Sequence, residues 1–244
     1  DNNYHWFMPG RTPSEIAEAV TEFCGATALP METDFTNFDG TVSAWLQRVV
    51  MHAVYYRHFH PRHHDDLRVL LEALITSPAQ SKRFGFRYDP GPGVKSGSPT
   101  TTDLNTVLNA FVSYAAIRRT HNLTPPRAFQ QLGLYFGDDS LVSGDLKRQI
   151  NKICTDVGLK IKCTTYQPDQ GLTFLGRVFP DPCTTTFSFQ DPLRSFRKIH
   201  LTCRDPNIPI ADAACDKVEG YLCTDARTPV LGSFCRMVRR FYAP

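Results

Sequence analysis

An α+β fold is predicted by three features of the 244-residue sequence. Apolar residues recur at helical spacing over 42–59 and 102–119, short strand-like runs flank a Gly-Asp-Asp turn within 132–144, and beyond Pro192 the pattern becomes mostly helical. The expected architecture is an antiparallel sheet with packed helices to about residue 190, followed by the start of a helical region.

Each element has its own signal. Thr12-Pro13-Ser14-Glu15 is a capping box with proline at the first helical position, opening a helix to about Cys24 with Ile16, Ala19, Val20 and Phe23 on one face. LPMETDF, ending at Phe35, reads as a strand. Val42, Trp45, Leu46, Val49, Val50, Ala53 and Tyr56 form the stripe of a helix over 42–59, and a shorter helix is expected over 66–76. SKRFGFRYD, residues 81–89, alternates with the strand period, and PGPGVKSGSPTTT is a loop by composition. That loop empties into a helix over 102–119 whose expected buried stripe is Leu104, Val107, Leu108, Phe111, Val112 and Ala115. LGLYFGDDSLVSG, 132–144, predicts two short buried strands joined by a tight turn at Gly137. A helix over 145–157, with Leu146, Ile150, Ile153 and Val157 inward, is stopped by Gly158. LKIKC and LTFLGRVF follow as strands, FPDPCTTTFSF as a hairpin, and helices are expected near 193–203, 210–223 and 229–242.

Bulk properties constrain little. At 41% hydrophobic and 21% charged the chain reads as an ordinary globular protein, and a net charge of +3 permits a nucleic-acid partner without arguing for one. The eight cysteines contain no C-x-x-C pair, which predicts reduced thiols rather than a disulfide framework. No apolar run approaches the roughly 18–20 residues of a membrane span, and no signal peptide is evident. The chain starts at DNNYHWFMPG without Met and stops at RMVRRFYAP within a helical pattern, so a longer parent protein is expected.

The chemistry is carried by three stretches. Asp138 and Asp139 are adjacent like charges at a hairpin tip, an arrangement that a bound cation would relieve, although Gly and Asp are also ordinary turn residues. In METDFTNFDG, Asp34 lies at a strand end and Asp39 follows five residues later. If this strand lies beside the hairpin, Asp34 and Asp138 converge, and paired carboxylates of this kind hold two Mg²⁺ ions about 3.5–4 Å apart for phosphoryl transfer. Alone, Asp34 also reads as a turn residue and Asp39 as a helix cap. Ser96, Gly97, Thr101 and Asn105 fit S-G-x-x-x-T-x-x-x-N on a loop entering a helix, where hydroxyls, backbone amides and a side-chain amide are offered to a ligand. By themselves these are ordinary cap residues as well.

In this order, TDFTNFDGTVS, SGSPTTTDLNT and YFGDDSLVSGD resemble motifs A, B and C of viral RNA-dependent RNA polymerases, most closely those of nodaviruses and their insect-virus relatives. The resemblance implies an α+β polymerase palm with part of the fingers over 1–190, with motif A at 31–43, B at 95–119, C at 132–143, D at 145–163 and E at 172–179, and a thumb segment over 191–244. It implies that Asp34, Asp138 and Asp139 ligate two Mg²⁺ ions, with Mn²⁺ as a substitute, and that the Phe35 carbonyl is a further ligand. Asp39 and Asn105, assisted by Ser96 or Thr101 and by the Gly97 loop, would sense the ribose 2′-hydroxyl. Lys162, preferred over Lys160, would protonate the leaving pyrophosphate. LTFLGRVF matches motif E but has Gly176 where a basic residue often stands, so Arg177 is not assigned a role there. Lys95, Lys82 and Arg83 are candidates to touch template or nucleotide, or are solvated.

The implied activity is template-directed nucleotidyl transfer from ribonucleoside triphosphates. The implied partners are RNA template and nascent RNA, with other replicase domains in the same long chain. The implied location is the host cytoplasm, in membrane-associated replication complexes reached through regions outside this chain. A catalytically incompetent palm serving as an RNA-binding or assembly scaffold is the alternative. A reverse transcriptase would carry a bulky gate at the position of Asp39, and a nucleotide cyclase would carry a G-G-D-E-F-like hairpin. His58, His60, His63 and His64 are irregularly spaced and read as a solvated helix end rather than a zinc site.

Overall fold

The structure, a computed structural model, describes residues 4–242; residues 1–3 and 243–244, at the outer ends of the expected palm and thumb regions, lie outside the described residues. The chain divides into two compact units, residues 1–11 with 23–166 and residues 12–22 with 167–244. In chain order the elements leading to the first sheet and its hairpin are α1 (Pro13–Ala26), β1 (Pro30–Phe35), α2 (Phe38–Thr41), α3 (Ala44–Leu46), α4 (Ala53–His58) and α5 (His64–Thr76). They continue with β2 (Ala79–Gln80), β3 (Arg87–Tyr88), α6 (Thr101–His121), α7 (Pro125–Gln130), β4 (Leu134–Phe136), β5 (Asp139–Ser143), α8 (Lys147–Asp156) and β6 (Ile161–Thr165).

The first unit is built on a four-stranded sheet in the order β4-β5-β1-β6, antiparallel throughout. β1 sits inside the sheet and alternates as a half-covered strand must: Met31, Thr33 and Phe35 are buried, while Asp34 between them is exposed. β4 and β5 are joined by Gly137 and Asp138 alone, and Gly137 takes φ 60°, the left-handed conformation that tight hairpin turns require. At the foot of the same hairpin, a Cβ on Gly133 would lie 1.9 Å from the Leu141 carbonyl oxygen, so the two arms close only around a glycine. Leu104, Leu108 and Val112 of α6 and Ile150 and Ile153 of α8 pack with Met31 and Phe35 into one core. Each such fully buried side chain contributes roughly 1.5–3 kcal/mol.

Three expectations are corrected in this unit. The helix over 42–59 is broken: α3 runs through a wider turn at Gln47–Met51 before α4, and Trp45 and Val49 are exposed while Leu46, Gln47, Val50 and Met51 are buried. A turn with an extra residue rotates the following face, which a constant 3.6-residue period cannot anticipate. Residues 81–89 are not one strand but the turn and second arm of the β2–β3 hairpin, with Gly85 at φ 73°. In α6 Phe111 faces solvent, whereas Asn105, Thr106, Asn109 and Ser113 are buried, because this helix packs polar groups against the β4–β5 turn.

The second unit holds a three-stranded sheet, β7 (Leu172–Phe174), β8 (Arg177–Phe179) and β9 (Phe189–Gln190), and helices α9 (Pro192–Lys198), α10 (Ile210–Asp225) and α11 (Leu231–Tyr242). α9 ends before the expected 203, and Asp191 caps it by accepting from the amides of Leu193 and Arg194. The reciprocal Thr12–Glu15 capping box forms at the start of α1. Val218, Leu231 and Cys235 centre a small core with Phe196 and Phe234.

Asp225 is buried at the end of α10 and accepts from Arg177 (2.9 Å), the Gln190 amide (2.7 Å) and the hydroxyls of Thr224 and Thr228. Burial opposes its ionisation, but these four donors outweigh it and hold its pKa below the ordinary aspartate value. The pair joins the β7–β8–β9 sheet to α10 within the second unit.

Candidate functional site

All the residues of this site belong to the first unit. β1 and β5 pair with Thr33 opposite Ser140, which brings Asp34 at the end of β1 alongside Asp139 at the start of β5, with Asp138 in the adjoining turn. On the other side of β1, Asp34 is the cross-strand partner of Lys162, so the two side chains stand on the same face. Lys160 precedes β6 and its carbonyl accepts from the Thr36 amide (2.9 Å). Phe35 follows Asp34 with its ring buried against Phe38, centroids 4.3 Å apart.

The turn is gripped from below by α6. The Asn109 side-chain amide donates toward the carbonyls of Gly137, Asp138 and Asp139 at 3.1–3.3 Å, and its oxygen accepts from the Ser140 hydroxyl. Ser140 in turn meets the Thr33 hydroxyl beside Asp34. The Thr106 hydroxyl accepts from the Gly137 amide (2.7 Å) and donates to the Thr102 carbonyl. Asn109 and Thr106 therefore fix the backbone that presents Asp138 and Asp139. They went unnoticed in the sequence, where polar residues on a helix read as solvent-facing; their signal is the four-residue spacing of Asn105, Asn109 and Ser113 ahead of a Gly-Asp turn.

Asp39 is held from two sides. Ser96 donates to one carboxylate oxygen and the Asn105 amide to the other (2.7 Å). The loop carrying Ser96 is laid against Asp39 by its backbone, with the Val94 amide donating to the Asp39 carbonyl (2.8 Å). Gly93 makes this approach possible, since a Cβ there would lie 2.7 Å from that carbonyl oxygen. Gly97 bends the loop at φ 91°, and Thr101 donates to the Lys95 carbonyl (3.2 Å) rather than reaching Asp39. The Lys95 ammonium donates to the carbonyls of Ile75, Gly91 and Gly93, so it braces this loop from within. Asn105 is buried, and its Oδ1 is an acceptor without a hydrogen-bond partner.

Asp138 reaches solvent, yet the protein beneath it withdraws hydration and pushes its pKa up; its own amide pulls the other way, and the charges of Asp34 and Asp39 push further up. This is a crowded anionic site whose repulsion a bound cation would relieve. Among the described residues no group of three or more His, Cys, Asp and Glu side chains is arranged to hold a metal ion, the histidines at 58–64 included. His60 and His64 instead bond backbone at the Arg62 amide and the Phe59 carbonyl. Arg177 of the second unit is engaged with Asp225 and Ser188.

Residues 1–196 match the family model for viral RNA-dependent RNA polymerase. The chain is 56% identical over 243 residues to the RNA-directed RNA polymerase of Nodamura virus (strain Mag115), covering 99% of this chain and 23% of that protein. To the RNA-directed RNA polymerase of Flock house virus it is 49% identical over 248 residues, covering 100% and 25%. The chain thus spans about a quarter of the length of the curated relatives it matches. Among solved structures, the RNA-dependent RNA polymerase of a human picorbirnavirus aligns over 95% of this chain and 47% of its own, with a TM-score of 0.69 at 17% identity. Its insertion-loop deletion mutant aligns over 94% and 47%, with a TM-score of 0.71 at 18% identity. That likeness is one of fold.

Proposed function

The chain belongs to the viral RNA-dependent RNA polymerase family, and from that premise we propose that it carries the catalytic centre for RNA-templated nucleotidyl transfer from ribonucleoside triphosphates. The observation that carries this reading is the Asp39–Ser96–Asn105 cluster in the same unit as the Asp34 and Asp138 carboxylates, with the Asn105 Oδ1 left unmatched. A buried acceptor without a donor is costly, about 1–3 kcal/mol. A ribose hydroxyl supplies that donor and a deoxyribose does not.

In this reading Asp34 and Asp138 hold two Mg²⁺ ions, or Mn²⁺ in their place, with Asp139 and the Phe35 carbonyl assisting. The fit is supported by the cross-strand placement of Asp34 beside the turn that carries Asp138, where loss of hydration and, to a smaller extent, the charges of Asp34 and Asp39 raise the Asp138 pKa. Bound there, the ions supply charge neutralisation at the attacking and leaving oxygens. The residues of the chain do the rest. Asp39, Ser96 and Asn105 orient the sugar, the Gly97 loop and Thr101 shape the pocket beside it, and Lys162, across the sheet from Asp34, donates a proton to the departing pyrophosphate. Residues 1–190 serve as palm with part of the fingers and 191–244 as the beginning of the thumb. The remaining three quarters of a relative-length protein would contribute further replicase domains and the attachment that places it in membrane-associated complexes of the host cytoplasm; no described helix here is long and apolar enough to cross a membrane.

The test is primer extension by the full-length protein with Mg²⁺. Asp34→Asn or Asp138→Asn is expected to lower incorporation by on the order of a thousandfold or more with the fold retained. Incorporation within a few fold of the parent by either variant would point instead to a palm that binds or assembles without catalysing.

A further inference from the structure

The β2–β3 hairpin presents an aromatic surface that the carboxylate site does not use. Phe84 stands in the turn of this hairpin, Phe86 where the second arm begins and Tyr88 within it. Their rings form a ladder, with Phe84 and Phe86 centroids 6.4 Å apart and 19° from parallel, and Phe86 and Tyr88 5.9 Å apart. The three residues are 70%, 55% and 51% exposed. The hairpin holds them in place through the Ser81 amide on the Phe86 carbonyl (3.0 Å), the Gly85 amide on the Ser81 carbonyl (2.8 Å) and the pairing of Ala79 with Tyr88.

Three cations are threaded through the same stretch, Lys82, Arg83 and Arg87, and the Arg83 guanidinium lies 5.2 Å from the Phe84 ring centroid. Among the described residues none of the three is in a salt bridge. The nearby Asp89 carboxylate accepts from the Gly91 amide instead. Covering these rings with an apolar protein surface would strip water from unpaired cations, which is unfavourable. A nucleic-acid strand matches both features, since its bases stack on rings and its phosphates pair with the cations. A duplex hides its base faces and matches only the second.

We propose that the β2–β3 hairpin is a stacking platform for single-stranded RNA, with Phe84, Phe86 and Tyr88 receiving bases and Lys82, Arg83 and Arg87 receiving phosphates. The platform rests on the polymerase reading only for the choice of RNA over DNA. All six side chains lie outside the carboxylate site, so binding here is separable from catalysis.

The experiment measures the affinity of the full-length protein for an unstructured single-stranded RNA oligonucleotide and for the same sequence as a duplex, across a salt series. Replacing Phe84, Phe86 and Tyr88 together by Ala should weaken single-strand binding at least about tenfold, given roughly fivefold to 150-fold per stacked base, and change duplex binding little. Replacing Lys82, Arg83 and Arg87 together by Ser should lower the slope of log affinity against log salt by about 2, at roughly 0.7 per phosphate. Unchanged single-strand affinity in the aromatic variant overturns the proposal. So does a lowered melting temperature with unchanged affinity, since the rings would then be packed under another part of the chain. Asp138→Asn serves as the control, losing incorporation while keeping RNA affinity. If Asp138→Asn incorporates normally and the aromatic variant still loses affinity, the polymerase reading fails and the platform stands.

Discussion

Two regions of the molecule treat their polar groups in opposite ways. At Asp225 in the second unit, a carboxylate meets Arg177, Gln190, Thr224 and Thr228, and its pKa is held down. Around the β4–β5 turn in the first unit, Asp138 is pushed up by burial and by Asp34 and Asp39, and the neighbouring Asn105 keeps an unmatched Oδ1. A satisfied network fixes structure; carboxylates brought close beside an unmatched acceptor leave groups that a ligand can satisfy. The Asn109 and Thr106 bonds lie between these extremes, because they are satisfied themselves and serve to hold the unsatisfied groups in place.

The sharpest way to break this contrast is Asp225→Ala. It leaves Arg177 buried and unpaired, which should cost about 3–5 kcal/mol in urea or thermal unfolding of the full-length protein. A loss under about 1 kcal/mol would place the pair among solvated surface bridges and remove the distinction between the regions. A smaller effect is expected from Asn109→Leu, which keeps the size of the side chain but strips the amide from the turn. Stability should fall by about 1–3 kcal/mol. Nucleotide incorporation should fall mainly in kcat, since the carboxylates lose their alignment while the proposed sugar contacts at Asp39 remain; a change confined to KM would mean that the turn keeps its position without Asn109.

The smallest effect on stability should come from Asn105→Ala, within about 1 kcal/mol, because the removed group brings one unmatched acceptor with its one donor. Its signature lies in selectivity: ribonucleotide preference over deoxyribonucleotide, measured as a ratio of kcat/KM, should fall about tenfold or more. An unchanged ratio would move sugar recognition away from this cluster.

Much of this was legible in the sequence where a local rule carries the information. Period-two alternation places β1 and exposes Asp34, and a glycine between apolar runs marks the turn that ends in Asp138. The capping box at Thr12 and the stop at Gly158 are local in the same sense. What escaped depends on partners distant in sequence. Asn109 and Thr106 are buried only because a hairpin some thirty residues later brings them a backbone to bond, and Lys95 reads as a free cation until three carbonyls fold around it. The wider helical turn at Gln47–Met51 escaped for another reason, since the sequence keeps a helical pattern while the inserted residue turns Val49 and Ala53 outward.

The foot of the β4–β5 hairpin also governs how this chain can change over generations. Because the Leu141 carbonyl already occupies the space a Cβ at position 133 would need, every single replacement of Gly133 parts the strands that carry Asp138 and Asp139. At Gly137 nothing stands within reach of an added Cβ and only the positive φ resists, a conformation asparagine adopts at modest cost. A coding change at position 133 therefore parts the hairpin's arms outright, while one at position 137 meets the strain of a positive φ alone. The less conspicuous of the two glycines is the one under the stricter steric limit.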